Sequence, residues 1–221
     1  MCFSPEASFT ASAILAATSA LSIYKIISNP GSHAKYWALV VVPIGFAIQQ
    51  FSEGLIWLSL RHQFNPNLQA GLISTFIFFA FIFWPAYIPT ALAYFETNKT
   101  KKLILQACAA VGISTALILL TSTIYFGITA QISSCHILYT LNLGNFNSPW
   151  SYLLSITYLL ATVGALLASN IKSLRILGLL TGLGYAISYV FYNYYLISIW
   201  CFFAALISIL IYLVIARDLR K

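Results

Sequence analysis

A carboxylate inside an apolar stretch is the first group here with chemistry to offer. Glu53 lies in the outer half of Trp37–Leu60, a run that otherwise reads as a membrane-spanning helix. A charged side chain at such depth costs about 2.5–3.5 kcal/mol on insertion scales, so it is expected to face protein or a water-filled cavity and to act there. Gln49, Glu53 and Trp57 recur at i, i+4 and i+8, and Gln50 stands three residues before Glu53, which makes one polar stripe on the helix. Glu53 is about 10 Å below the outer end of its helix at 1.5 Å per residue, within reach of a narrow cavity. The competing reading is an acid buried for structural reasons and hydrogen-bonded to a neighbouring helix. Trp84, followed by Pro85, and Tyr189, in an aromatic face with Tyr185, Ser188 and Tyr192, complete the expected ligand-binding set of Glu53, Gln49, Gln50, Trp57, Trp84 and Tyr189.

A second set has metal-ligating types. Glu53, His136 and Glu6 are two carboxylates and an imidazole on the same expected side, a combination able to hold a divalent metal. Each has a plainer reading. Ser4-Pro5-Glu6 is an N-cap serine, a proline at the first helical position and an acid in the first turn, all suited to a helix start. His136 has the spacing of an ordinary loop histidine, and His33 and His62 look interfacial. Cys2, Cys108, Cys135 and Cys201 show neither CxxC nor CxxxC spacing, which supports no zinc knuckle or redox motif; Cys2, Cys135 and Cys201 are the candidates for an oxidised pair, with no one pairing favoured.

The elements that must position these groups are membrane spans. The 221 residues are 61% hydrophobic and 7% charged, far from the roughly 25% charge of soluble domains, and the mean hydropathy is +0.89. A single membrane domain over 1–221 is expected, an all-α bundle of seven transmembrane helices near 6–27, 37–60, 70–95, 103–126, 149–169, 174–194 and 197–216. The start, Met1 to Glu6, has no basic region, so the first stretch is expected to stay as a helix rather than be cleaved, and no apolar segment precedes Cys2 to suggest lipidation. Of eleven basic residues only Arg61 falls on one side of this topology, which puts the N-terminus outside and the C-terminus in the cytoplasm. The net charge of +7 sits in short clusters between spans, not along a face for nucleic acid. The outer connection 127–148 is long and uncharged, and its alternating segment Ile132–Tyr139 suits a short hairpin or a covering lid. Pro85 and Pro89 predict a kink in the third helix. Gly178 and Gly182 predict close packing of the sixth, and Ser198, Cys201, Ala205 and Ser208 an inward face of the seventh.

The opening Met1-Cys2-Phe3-Ser4 with Ala7-Ser8, the Gln50, Glu53-Gly54 and Trp57 pattern, Trp84-Pro85, and Trp200-Cys201-Phe202 with Ala204-Ala205 resemble an uncharacterised family of small bacterial multi-pass membrane proteins, known only as a domain of unknown function. His136 and Tyr139 match the same pattern. The resemblance implies a multi-helix fold in a bacterial cytoplasmic (inner) membrane and brings no activity with it.

Three functions are open. Binding, transport or sensing of a small molecule or cation at an outward-facing pocket around Glu53 ranks first. An intramembrane metal-dependent hydrolase acting on lipid ranks second, short of the three protein ligands a catalytic zinc normally has. A structural or assembly subunit ranks third. Whether the chain is an enzyme is left open. Covalent retinal is excluded, because the last helix contains no lysine. The partners are the lipid bilayer and a small molecule or cation, with a homo-oligomer also open and no nucleic acid.

Overall fold

The computed structural model describes residues 4–29, 34–141 and 149–219. Seven helices long and apolar enough to cross a membrane follow one another: α1 (Pro5–Ile27), α2 (Ala34–His62), α3 (Pro66–Phe95), α4 (Lys99–Phe126), α5 (Pro149–Ala168), α6 (Lys172–Phe191) and α7 (Asn193–Arg217). Helix starts are chemically marked. The Ser4 hydroxyl accepts from the Ala7 N–H at 3.3 Å, the Asn65 side chain from the Asn67 N–H, and the Asn98 side chain from the Lys101 N–H. Because Pro66 takes the first helical position behind that Asn65 cap, α3 begins one turn earlier than hydropathy suggests. The doubtful turn between the last two spans closes tightly, with α6 ending at Phe191 and a 3₁₀ turn over Asn193–Tyr195 opening α7.

The expected kink in α3 takes the form of a π-helical segment, Phe78–Phe83, immediately before Trp84-Pro85. Pro85 has no N–H to give to the carbonyl five residues earlier, Ala80, and the Tyr158 hydroxyl from α5 donates to that oxygen at 2.5 Å instead. A second π segment, Leu160–Gly164, lies in α5 beside this junction. On α4, a Cβ at Gly112 would fall on the Pro85 carbonyl oxygen and within 2.9 Å of the Ala161 Cβ, so three helices meet where only glycine fits. Gly178 and Gly182 do bring α6 close to α5, opposite Leu166 and Val163.

One strand pair qualifies the all-α expectation. β1 (Ile128–Ser133) and β2 (His136–Leu141) form an antiparallel hairpin whose last pair is Ser133 and His136. Ser134 and Cys135 have φ of 45° and 64°, as a two-residue type I′ connection requires. The α1–α2 connection at 30–33, with His33, and the stretch 142–148 lie outside the described residues, as does Cys2.

The core has two parts. A cluster at the hairpin end joins Ile56, Trp57, Ile73, Phe76, Ile77, Ala80, Ile137, Tyr139 and Cys201. A larger one runs from Phe46 and Trp84 to the opposite end. That opposite end is tied by Glu96, whose carboxylate accepts from the Asn98 N–H at 3.0 Å and from the Asn170 amide at 2.8 Å, joining the α3–α4 and α5–α6 turns.

Candidate functional site

Where the two core clusters meet, polar groups from four elements converge. From α2 come Gln49 and Gln50, both fully buried, and Glu53, 2% exposed. Ser198 of α7 donates its hydroxyl to Glu53 Oε1 at 2.5 Å, a length typical of a hydroxyl bound to a carboxylate. Trp84 of α3 donates its indole N–H to Gln49 Oε1 at 2.8 Å. Tyr139 of β2 lies buried with its ring stacked on Phe76 at 4.7 Å, within electrostatic reach of Glu53. Burial, and after it the nearby Glu53, push the Tyr139 phenol well above its ordinary range, so it stays protonated as a donor. The Cys201 thiol of α7 is buried and unpaired, close to both Glu53 and Gln49.

Close packing enforces this geometry. Gly54 has no side chain because Phe9 of α1 occupies that space, with ring atoms 2.6–2.8 Å from where a Cβ would lie. Gly45 likewise makes room for Trp84, whose ring stacks on Phe46 at 4.0 Å. Ser12 of α1 donates to the Ala47 carbonyl, fixing α1 against the same stretch of α2.

Several buried polar atoms around Glu53 lack a partner among the described residues. Gln49 Nε2, both polar atoms of the Gln50 amide, and the Tyr139 hydroxyl are buried with no hydrogen-bonding partner among the described residues. Gln50 lies near enough to act on the Glu53 carboxyl but outside hydrogen-bonding geometry. Buried polar groups are normally satisfied, and each one left without a partner costs about 1–3 kcal/mol. Ser198 and Gln50, which act on the Glu53 carboxyl, are both neutral. One amide oxygen, two amide nitrogens and a phenol around the Glu53 carboxyl make a polar cluster suited to a small, hydrogen-bonding guest.

A family model described as Family of unknown function (DUF6629) matches residues 1–221. The chain belongs to this family. No curated protein and no solved structure matches it. In this DUF6629 chain the Glu53-Gly54 pair combines two tasks, a buried carboxyl and the close approach of α1, and Trp84-Pro85 combines a donor to Gln49 with the break in α3.

The other expected site residues are placed elsewhere. Trp57 is buried one turn beyond Glu53, with the Arg61 guanidinium 5.4 Å from its ring centroid. Tyr189 is 43% exposed and stacks on Tyr185, on the outer surface of α6. Glu6 is exposed in the first turn of α1, as helix-start chemistry suggests. His136 is buried instead of solvated, stacked on Tyr195 at 4.6 Å with Nδ1 2.7 Å from the Ser134 carbonyl. Among the described residues no three of His, Cys, Asp and Glu converge as a metal site would need, so Glu53, His136 and Glu6 do not form a ligand set. Tyr139 and Ser198 are the site residues that spacing on α2 does not reveal. The signals for them are the period-2 alternation of the hairpin, the match of Tyr139 to the family pattern, and the polar face of α7.

Proposed function

We propose that this chain is a seven-span protein of a bacterial cytoplasmic membrane, hairpin end outward, that binds a small polar molecule or cation at Glu53 and uses that binding for transport or sensing. The carrying observation is a buried carboxyl with no cationic partner among the described residues, set among four polar atoms under the hairpin that likewise have no partner there. A carboxylate enclosed in this way calls for a proton, a cation or a donor-bearing guest. The orientation is supported by ten of the eleven bases falling at the end opposite the hairpin. The hairpin is the cover of the site. Ser133 Oγ lies 3.1 Å from the Tyr195 hydroxyl, and the His136 ring stacks on Tyr195, so guest entry requires these contacts to part.

The test is carbodiimide labelling of Glu53, read by peptide mass, in protein reconstituted in lipid. Sodium, potassium, magnesium, zinc and simple alkylammonium ions are added singly as protectants. A saturable fall in labelling with one of them is expected. If none protects, and Glu53→Gln simply unfolds the protein, the carboxyl is structural and the binding reading fails.

A further inference from the structure

At the end opposite the hairpin, basic side chains stand at the starts of two helices. Lys99, Lys101 and Lys102 occupy the first turn of α4, and Lys172 and Arg175 the first turn of α6; all but the half-buried Lys101 are exposed. Neither turn contains an acid. A helix N-terminus carries the positive end of the macrodipole and N–H groups without intrahelical partners, so cations are disfavoured there and an anion is favoured. Other bases at this end of the bundle obey that rule, with Lys25 in the last turn of α1 and Arg217 in the last turn of α7. Topology asks only that bases lie in these connections. It does not ask for them at the disfavoured end of two helices.

The two turns are held together. Glu96 Oε1 accepts from the Asn98 N–H at 3.0 Å and from the Asn170 side-chain amide at 2.8 Å, while Oε2 accepts from the Asn170 N–H at 3.2 Å. The carboxylate between the turns is thereby committed to N–H donors, and none of the five bases is among the groups that act on it. Below this basic rim the surface is apolar. Leu103, one turn beyond Lys99, is 67% exposed, and Ile176, one turn beyond Lys172, is 46% exposed. α5 lies between the two helices, with Ala161 against Gly112 of α4, Leu166 against Gly178 of α6, and Leu167 exposed beside it. Cations above an apolar wall match a phosphate above acyl chains. We infer that the α3–α4 and α5–α6 turns together bind the headgroup of an anionic phospholipid, its phosphate drawn by the bases of both turns and its chains lying along α4, α5 and α6. A zwitterionic lipid fits less well, because its own amine neutralises the phosphate. This site is independent of the Glu53 reading.

The test is native mass spectrometry of the full chain, delipidated in detergent and titrated with phosphatidylglycerol, phosphatidylcholine or inorganic phosphate. Saturable retention of phosphatidylglycerol is expected, at least about tenfold tighter than that of phosphatidylcholine, with inorganic phosphate a poor competitor because it brings no acyl chains. At about fivefold per base, Lys172→Gln with Arg175→Gln should weaken retention about 30-fold, and so should Lys99→Gln with Lys102→Gln. These four side chains are exposed, so their replacement leaves the fold intact. Lys25→Gln with Arg217→Gln removes the same charge from the same end and should change retention less than about threefold. Asn170→Ala leaves the charge unaltered but cuts the side-chain bond to Glu96, and it should weaken retention about fivefold. Absence of preference over phosphatidylcholine, or an equal loss with the Lys25 and Arg217 pair, reduces the effect to diffuse charge attraction and overturns the site. Displacement by inorganic phosphate as readily as by phosphatidylglycerol makes free phosphate the ligand and overturns the lipid. Retention unchanged by Asn170→Ala overturns the joint site, since the two turns would then bind separately.

Discussion

Gln50→Met gives the sharpest test of whether the polar cluster around Glu53 serves a guest. Gln50 is fully buried, and neither polar atom of its amide has a hydrogen-bonding partner among the described residues. Methionine nearly matches its length and flexibility and brings no polar atom of comparable demand. At about 1–3 kcal/mol per unsatisfied group, removing two of them relieves about 2–6 kcal/mol, and waters reaching the amide in the folded protein bring the expected gain toward the lower bound. Glu53 keeps its bond to Ser198, so the substitution leaves no new orphan behind it. A stabilisation of about 2 kcal/mol corresponds to a rise in Tm of about 4–8 °C for a chain of this size. Thermal unfolding followed by circular dichroism in detergent reads that shift, and carbodiimide protection of Glu53 reads the guest. The expected outcome is opposed changes, higher Tm with weaker protection, the trade-off seen where a site is held strained for binding. A fall in stability of about 1 kcal/mol or more would show that the amide is satisfied in the folded protein, and the argument from unpartnered atoms would collapse.

Ser198→Ala removes the hydroxyl donor from the buried Glu53 carboxyl and should lower stability by about 1.5–3 kcal/mol, with Ser198→Thr restoring most of it in the same unfolding assay. Trp84→Phe strips the donor from Gln49 Oε1 and should destabilise by about 1–3 kcal/mol; unchanged stability would mean that Gln49 finds another partner. Gly112→Ala, whose Cβ meets the Pro85 carbonyl, should cost about 3 kcal/mol or more, whereas Gly54→Ala, opposed only by the Phe9 ring, should cost about 1–2 kcal/mol and be relieved by Phe9→Ala in a double-mutant cycle. Although burial pushes the Glu96 carboxyl up, hydrogen bonds from Asn98, Asn170 and Thr97 outweigh it and hold the group below its ordinary value. Its stabilising contribution is therefore full above the unfolded carboxyl range and is lost as pH falls through the lowered folded value. Glu96→Gln should flatten the acid limb of a Tm-versus-pH profile, and an unaltered limb would contradict that assignment.

What the amino-acid order makes legible is what depends on one helix at a time. Span number follows from apolar length, the Gln49–Glu53–Trp57 stripe from the helical period, and the α5–α6 approach from the spacing of Gly178 and Gly182. The inward face of α7 is legible for the same reason, with Ser198, Cys201, Ala205 and Ser208 all buried. Partner choice between helices is not periodic, which hides the Glu53–Ser198 bond and the seat of Tyr139. Tyr189 shows the limit from the other side: an aromatic at helical spacing fits a pocket or a surface belt equally, and here its face points away from the bundle. The π segments are also silent in sequence, since Pro85 announces a break in hydrogen bonding but not the wider turn that accommodates it. The hairpin is half legible. β2 alternates in burial as its residues alternate in type, whereas β1, more polar and more exposed, carries little pattern to read.

The indole of Trp84 unites these features. Three positions on α2 are shaped to it: Gly45 leaves the space, Phe46 supplies the stacking surface, and Gln49 accepts its N–H. So many constraints on one side chain exceed what filling a core needs, because a leucine would pack against Phe46 without demanding a glycine or an acceptor. An amphipathic ring is demanded by its position, with the N–H edge bonded to Gln49 beside unpartnered polar atoms and the ring lining a mostly apolar cavity between α2, α3, α5, α6 and α7. The break in α3 just before Trp84-Pro85 then has a structural consequence, since Tyr158, which satisfies the freed Ala80 carbonyl, also lines that cavity. The hydroxyl that repairs the backbone defect thus belongs to a side chain that also walls the cavity. Loss of that bond would leave the buried Ala80 carbonyl without its donor, so the junction that bends α3 depends on a side chain of α5.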